Sequence, residues 1–87
     1  MDGIAILGLV AGTITSVTFV PQVIKIWQTR SAKDLSIAML LLLLLGVSIW
    51  LAYGILVKDI AIIYTNSMVL AMGLLMLFFK WKFNRNG

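Results

Sequence analysis

The sequence predicts an all-α integral membrane protein, a bundle of three transmembrane helices. Three observations predict it. The 87 residues are 62% hydrophobic and only 11% charged, with a mean hydropathy of +1.10. That is too little polar surface for a soluble domain of this size. The apolar residues fall into three stretches, Ile4–Ile24, Leu35–Val57 and Ile60–Phe79. Each is close to the ~20 residues that a helix needs to cross a bilayer. The charged residues gather at the ends of these stretches, where they meet water or headgroups.

The first helix is expected over about residues 3–28. Its start, "MDGIAI", carries an acid where a signal peptide has a basic region, and it is too long for a signal core, so it is read as retained. Within it lies Pro21, the only proline of the chain, followed by Gln22. Proline lacks the N–H that would bond the carbonyl of Val17 and crowds that carbonyl. A kink is therefore expected late in the helix, with Pro21 and Gln22 forming a hinge near one mouth. Phe19 and Met39 are bulky and near that level, candidates to close the mouth. Thr13, Thr15, Ser16 and Thr18 add hydroxyls to this helix, of which Thr15 and Ser16 are candidate substrate contacts.

The second helix is expected over about residues 35–57, after the polar loop "QTRSAKD", with Ser31 or Asp34 as its cap. The third is expected over about residues 60–81, after a turn that is little more than "KD", with Asp59 as its cap. Gly8, Gly12, Gly46 and Gly73 are expected to permit close helix approach. All 87 residues form one domain.

Charge orients the bundle. Lys25, Arg30 and Lys33 flank the first loop, and Lys80, Lys82 and Arg85 lie in the tail. Only Lys58 sits in the second loop, beside Asp59. The positive-inside bias places the first loop and the C-terminus in the cytoplasm and the N-terminus outside. Trp27 and Trp81 fall at the cytoplasmic edges, where amphipathic rings anchor. The net charge of +4 is thus a topology signal, and no nucleic-acid partner is implied.

Depth singles out two residues. Trp50 and Asn66 each lie about eight residues from the Lys58–Asp59 turn, on either side of it. At ~1.5 Å rise per residue, both sit ~11–13 Å below the surface, at matching depth. A tryptophan there is not an interface anchor. An asparagine in hydrocarbon costs several kcal/mol unless its amide is bonded or wet. An aromatic plate level with an amide suits a neutral polyhydroxylated ligand. The alternative is structural, with Asn66 bonding a neighbouring helix and Trp50 merely packed.

Several chemistries are excluded. The chain has no cysteine and no histidine, so thiolate and imidazole metal sites are absent, and no cofactor or enzymatic activity is expected. No phosphate-binding loop motif is present. No carboxylate lies within an apolar stretch, which disfavours ion-coupled and cationic-substrate carriers.

These features carry a resemblance. "FVPQ" late in the first helix, "SIWLAYGIL" at 48–56, the short "KD" turn and "IIYTNSMVL" at 62–70 together resemble the SemiSWEET sugar transporters. These are bacterial half-size members of the SWEET and PQ-loop group. The resemblance covers essentially the whole chain. It implies a uniporter for mono- or disaccharides, glucose- or sucrose-like, working by alternating access in the bacterial inner membrane. It implies Trp50 and Asn66 as sugar-binding residues, Pro21 and Gln22 as the hinge, and Tyr53 and Asp59 in an extracellular gate. Where the family carries an arginine at that gate, this chain has Val57, and the following Lys58 is the candidate replacement. The resemblance also implies a parallel homodimer with the path on its two-fold axis. Sequence logic leads to a similar place, because three helices cannot enclose a sugar-wide cavity and the charge bias orients every copy alike. The competing expectations are a PQ-loop carrier of another small solute and a small membrane subunit that transports nothing.

Overall fold

Asp2 starts the fold. The computed structural model describes residues 2–85, and Asp2 Oδ1 accepts the Ala5 N–H at 2.8 Å to open helix α1, Gly3–Val17. Helix α2, Val20–Thr29, continues the same span. Helix α3 is Ile37–Val57 and helix α4 is Ile60–Arg85. Three apolar spans result, Gly3–Thr29, Ile37–Val57 and Ile60–Phe83, each long enough to cross a membrane.

Pro21 explains why the first span is two helices. Proline fits the first turn of a helix, where its missing N–H costs nothing, so α2 restarts just before it. The backbone between α1 and α2 stays right-handed but tightens. The Thr18 N–H donates to the Thr15 carbonyl at 3.2 Å, and the Phe19 N–H to the Ser16 carbonyl at 3.1 Å. These are three-residue steps, one turn of 3₁₀ geometry. The Thr18 hydroxyl adds a bond of 2.6 Å to the same Thr15 carbonyl.

The two connections use different devices. Ser36 caps α3, accepting the Met39 N–H at 3.3 Å, so the cap is neither Ser31 nor Asp34 and α3 starts two residues later than expected. A serine that lies next to the first helical turn reaches the N3 amide directly. The α3–α4 turn closes with Lys58 in the left-handed conformation, φ 57 and ψ 41. The Lys58 and Asp59 N–H groups donate to the carbonyls of Ile55 and Gly54 at 3.2 and 2.9 Å. A side chain in that conformation costs roughly 1–2 kcal/mol where glycine would cost nothing. Asp59 Oδ1 then accepts the Ile62 N–H at 3.1 Å and starts α4.

Helix α4 is the spine. The α1–α2 span packs on one flank of it and α3 on the other, and α1 does not touch α3. The molecule is accordingly flattened, 49 × 21 × 14 Å. Its ends are packed differently. At the basic end, Ile26, Ala32, Leu40, Met76, Phe79 and Phe83 form the large-residue core. Phe79 stacks on Phe83 at 5.3 Å, and Lys80 Nζ donates to the Ala32 carbonyl at 3.0 Å, fastening the first loop to α4. This packing carries α4 past the apolar stretch to Arg85.

At the other end, small residues bring backbones together. A Cβ on Gly8 would come within 2.8 Å of Ala61 Cβ, and one on Gly12 would collide with the Thr65 hydroxyl. A Cβ on Gly54 would likewise lie 2.7 Å from Ile62 Cγ2, and farther along α4, beside the large-residue core, one on Gly73 would lie 2.7 Å from Leu44 Cδ2. Gly8 and Gly12 are four residues apart, as are Ala61 and Thr65, so two helix faces mesh in register. Gly46, also expected at a close approach, meets nothing within 4 Å in this chain. Beside this seam, the Thr13 and Tyr64 hydroxyls bond at 2.9 Å. Gly12→Ala should therefore destabilise the fold by about 1–3 kcal/mol, the usual result of overpacking. Gly3→Ala, with open space around it, should leave it unchanged. Detergent melting of both variants checks this.

Candidate functional site

A groove of about 340 Å³ lies over the first two turns of α4, with α1 and α3 as its walls. Its floor is Ala61, Ile62, Thr65 and Asn66 of α4. Thr15, beside Gly8, Ala11 and Gly12, represents α1, and Trp50 represents α3. The glycine seam makes the groove possible, because α1 without side chains at Gly8 and Gly12 sits low against α4 and leaves space above.

Trp50 and Asn66, level in the sequence, face this same space. Trp50 is 57% exposed in the single chain and is braced by Tyr53, whose ring meets it edge-on at 5.6 Å and 89°. Asn66 Nδ2 donates to the Ile62 carbonyl at 2.9 Å. That partner lies on its own helix, so the amide ties no second helix to α4. An amide offers two donors and an acceptor with two lone pairs, and this bond uses one donor. Among the described residues, no charged side chain lines the groove. A plate, an amide and the hydroxyls of Thr15 and Thr65 match an uncharged, hydroxyl-rich molecule.

Ser16 stands apart from Thr15. It continues the four-residue stripe of Gly8 and Gly12, is only 3% exposed, and has no hydrogen-bond partner for its hydroxyl among the described residues. It lies within the packed interior and does not line the groove.

The remaining candidates occupy the two ends. Tyr53, Lys58 and Asp59 line one cleft of about 690 Å³, together with Asp2. Gly8, Ala61 and Ile62 line both this cleft and the groove, so the two spaces adjoin. At the basic end, Gln22 lines a cleft of about 330 Å³ with Lys25, Thr29 and Ser31, while Pro21 is exposed. Phe19 packs against the large-residue core, whereas Met39 is 72% exposed. Within one chain, then, the structure gathers Trp50, Asn66 and Thr15, gathers Tyr53, Lys58 and Asp59, and gives Phe19 and Met39 different surroundings.

Sequence reasoning missed Thr65, Asp2 and the Thr13–Tyr64 bond. Thr65 had a signal, since Ala61 and Thr65 repeat the four-residue spacing of Gly8 and Gly12. Asp2 had only its capping propensity.

Residues 3–62 match the PQ loop repeat family. Over 76 residues the chain is 43% identical to the sugar transporter SemiSWEET of Bradyrhizobium diazoefficiens, covering 85% of this chain and 88% of that protein. Over 75 residues it is 37% identical to the sugar transporter SemiSWEET of Leptospira biflexa, covering 86% and 88%. The fold superposes on the crystal structure of SemiSWEET in the inward-open conformation with a TM-score of 0.88 at 35% identity, over 99% of this chain and 92% of that one.

The break at Thr18–Phe19 gives a structural prediction. Pro21→Ala supplies an N–H for the Val17 carbonyl, so α1 and α2 should merge. Spin labels at Ile4 and Gln28 should then report the spacing of one straight helix, about 36 Å at 1.5 Å per residue. A distance distribution unchanged from the parent would mean that the tightened turn does not depend on proline.

Proposed function

The chain belongs to the PQ-loop repeat family, in its SemiSWEET group, and from that premise we propose that it carries sugars across a bacterial inner membrane by facilitated diffusion. The observation that carries this proposal is the pairing of Trp50 with Asn66 in a groove lined without charge. The ring covers the C–H face of a sugar and the amide reads its hydroxyls. Thr15 and Thr65 extend the same wall. The lack of charge argues against a carrier of cationic solutes. The bond from Asn66 to its own helix argues against a subunit in which it is mere glue.

One chain supplies half of a path. The groove leaves Trp50 more than half exposed, and the Asn66 amide and the Thr15 and Thr65 hydroxyls beside it are costly to leave facing lipid, so the groove calls for a cover. A second copy in the same orientation is the proposed cover, in a parallel homodimer that sets two Trp50 and two Asn66 around one two-fold axis. The basic end, with Lys25, Arg30, Lys33, Lys80 and Lys82, is proposed to be cytoplasmic and the N-terminus outside. Pro21 and Gln22 serve as the hinge, Tyr53, Lys58 and Asp59 as the outer gate, and Phe19 and Met39 as the inner one. A tightened turn with an unbonded carbonyl is a low-cost place for α2 to swing.

The site is tested by measuring sugar binding and detergent melting on one preparation. Asn66→Ala removes a donor and an acceptor from each protomer, at ~1–3 kcal/mol per lost pairing. Sugar affinity should fall at least tenfold, since ~1.4 kcal/mol is a factor of ten. Trp50→Ala should do the same, and Trp50→Phe less. Normal binding by a destabilised Asn66→Ala dimer would remove Asn66 from the site. The transport mode is tested in proteoliposomes. Labelled sugar should equilibrate without accumulating under an imposed pH gradient, because no carboxylate lines the groove. Accumulation above the outside concentration would establish coupling.

A further inference from the structure

The end cleft beside the groove holds three charged residues, Asp2, Lys58 and Asp59. The proposed outer gate uses two of them. Asp2 lies at the start of α1, far in sequence from the others, and the glycine seam is what brings it there. Gly8 on α1 meets Ala61 on α4 closely enough that a single added Cβ would come within 2.8 Å. The beginnings of α1 and α4 are thereby held side by side.

Both carboxylates are fixed in the same way. Asp2 Oδ1 accepts the Ala5 N–H, and Asp59 Oδ1 accepts the Ile62 N–H. Each side chain is anchored at a helix N-terminus. A carboxylate accepts at two oxygens, so capping uses half of each group. Among the described residues, Lys58 is the only cation lining the cleft. It occupies a left-handed turn position, φ 57, where glycine is the unstrained residue. Its side chain therefore starts from a rigid turn at the edge of the cleft.

Resting on the transporter reading, we infer that Asp2 is a positioning residue of the outer gate: the Lys58 ammonium, when the outer mouth closes, is held between the carboxylates of Asp2 and Asp59. Two anions suit a lysine at this position. An arginine binds one carboxylate through a two-pronged fork, whereas an ammonium is a compact charge with three donors that fan outward. Closing also withdraws the group from water, which strengthens each attraction. The gate therefore recruits a carboxylate from the first span as well as from the third.

The native chain has no cysteine, so one engineered thiol reports on the mouth. Ala61 lines both the cleft and the groove, and Ala61→Cys in proteoliposomes can be labelled from outside with a membrane-impermeant maleimide. Asp2→Asn keeps the helix cap, because asparagine caps as well as aspartate, and removes only the charge. Labelling should be several-fold faster with Asp2→Asn and with Lys58→Gln, and the double variant no faster than Lys58→Gln alone. The melting temperature of Asp2→Asn should match the parent. Parent-like labelling of Asp2→Asn would overturn the proposal, as would full additivity with Lys58→Gln, since independent effects mean that the two do not interact. This readout needs no bound sugar, so it is separable from the Asn66 test of the transport proposal.

Discussion

The close approach of α1 to α4 at Gly8 and Gly12 is the constraint on which the rest depends. In a bilayer, lipid tails are as apolar as leucine, and helices associate through packing and hydrogen bonds rather than through exclusion of water. Two bare backbone positions against Ala61 and Thr65 give α1 a fit on one flank of α4. The α3–α4 turn holds α3 on the other flank. With both flanks occupied and α1 apart from α3, the face of α4 that carries Asn66 stays open. The groove is what remains when two helices flank a third without meeting.

Thr15 links this seam to the break in the first span. Its side chain lines the groove, and its carbonyl receives both the N–H and the hydroxyl of Thr18. The tightened turn and the groove wall therefore share this residue. Below the turn, Phe19 is seated in the large-residue core with Ile26, Met76 and Phe79. Any swing of α2 must slide that apolar contact. Above it, the glycine seam and the Thr13–Tyr64 bond hold α1 to α4. The first span is thus two helices divided at Thr18–Phe19, α1 fitted on the glycine seam and α2 on the large-residue core.

The two ends of the bundle obey different rules for a related reason. Bulky aromatics and aliphatics fill the basic end, and Arg30 lies over the rings of Trp27 and Phe83 at 5.4 and 5.8 Å. These cation–ring contacts add attraction without burying a charge. The opposite end has a wide cleft edged by opposite charges. The basic end thus pairs a packed core with a cleft of about 330 Å³, and the opposite end has the larger cleft, of about 690 Å³.

The sequence by itself determined the three spans, because stretches of ~20 apolar residues have no other stable use. It determined that Trp50 and Asn66 would be level, because a two-residue turn pins the register of the helices on either side. It marked Pro21 as a break, because a missing N–H is a local fact. It did not determine which helix lies in the middle. Helices α3 and α4 have no marked polar face, so the periodicity that tells a core face from a solvent face in water carries little information in lipid. It separated neither Thr15 from Ser16 nor Gly12 from Gly46. A rotation of 100° per residue turns neighbours onto different faces, and only the packed partner decides which face is the groove. Asp2 became part of the charged cleft for the same reason. Its place in the same cleft as Lys58 and Asp59 follows from the packing of the first span on the last, and no local property of the chain encodes that packing.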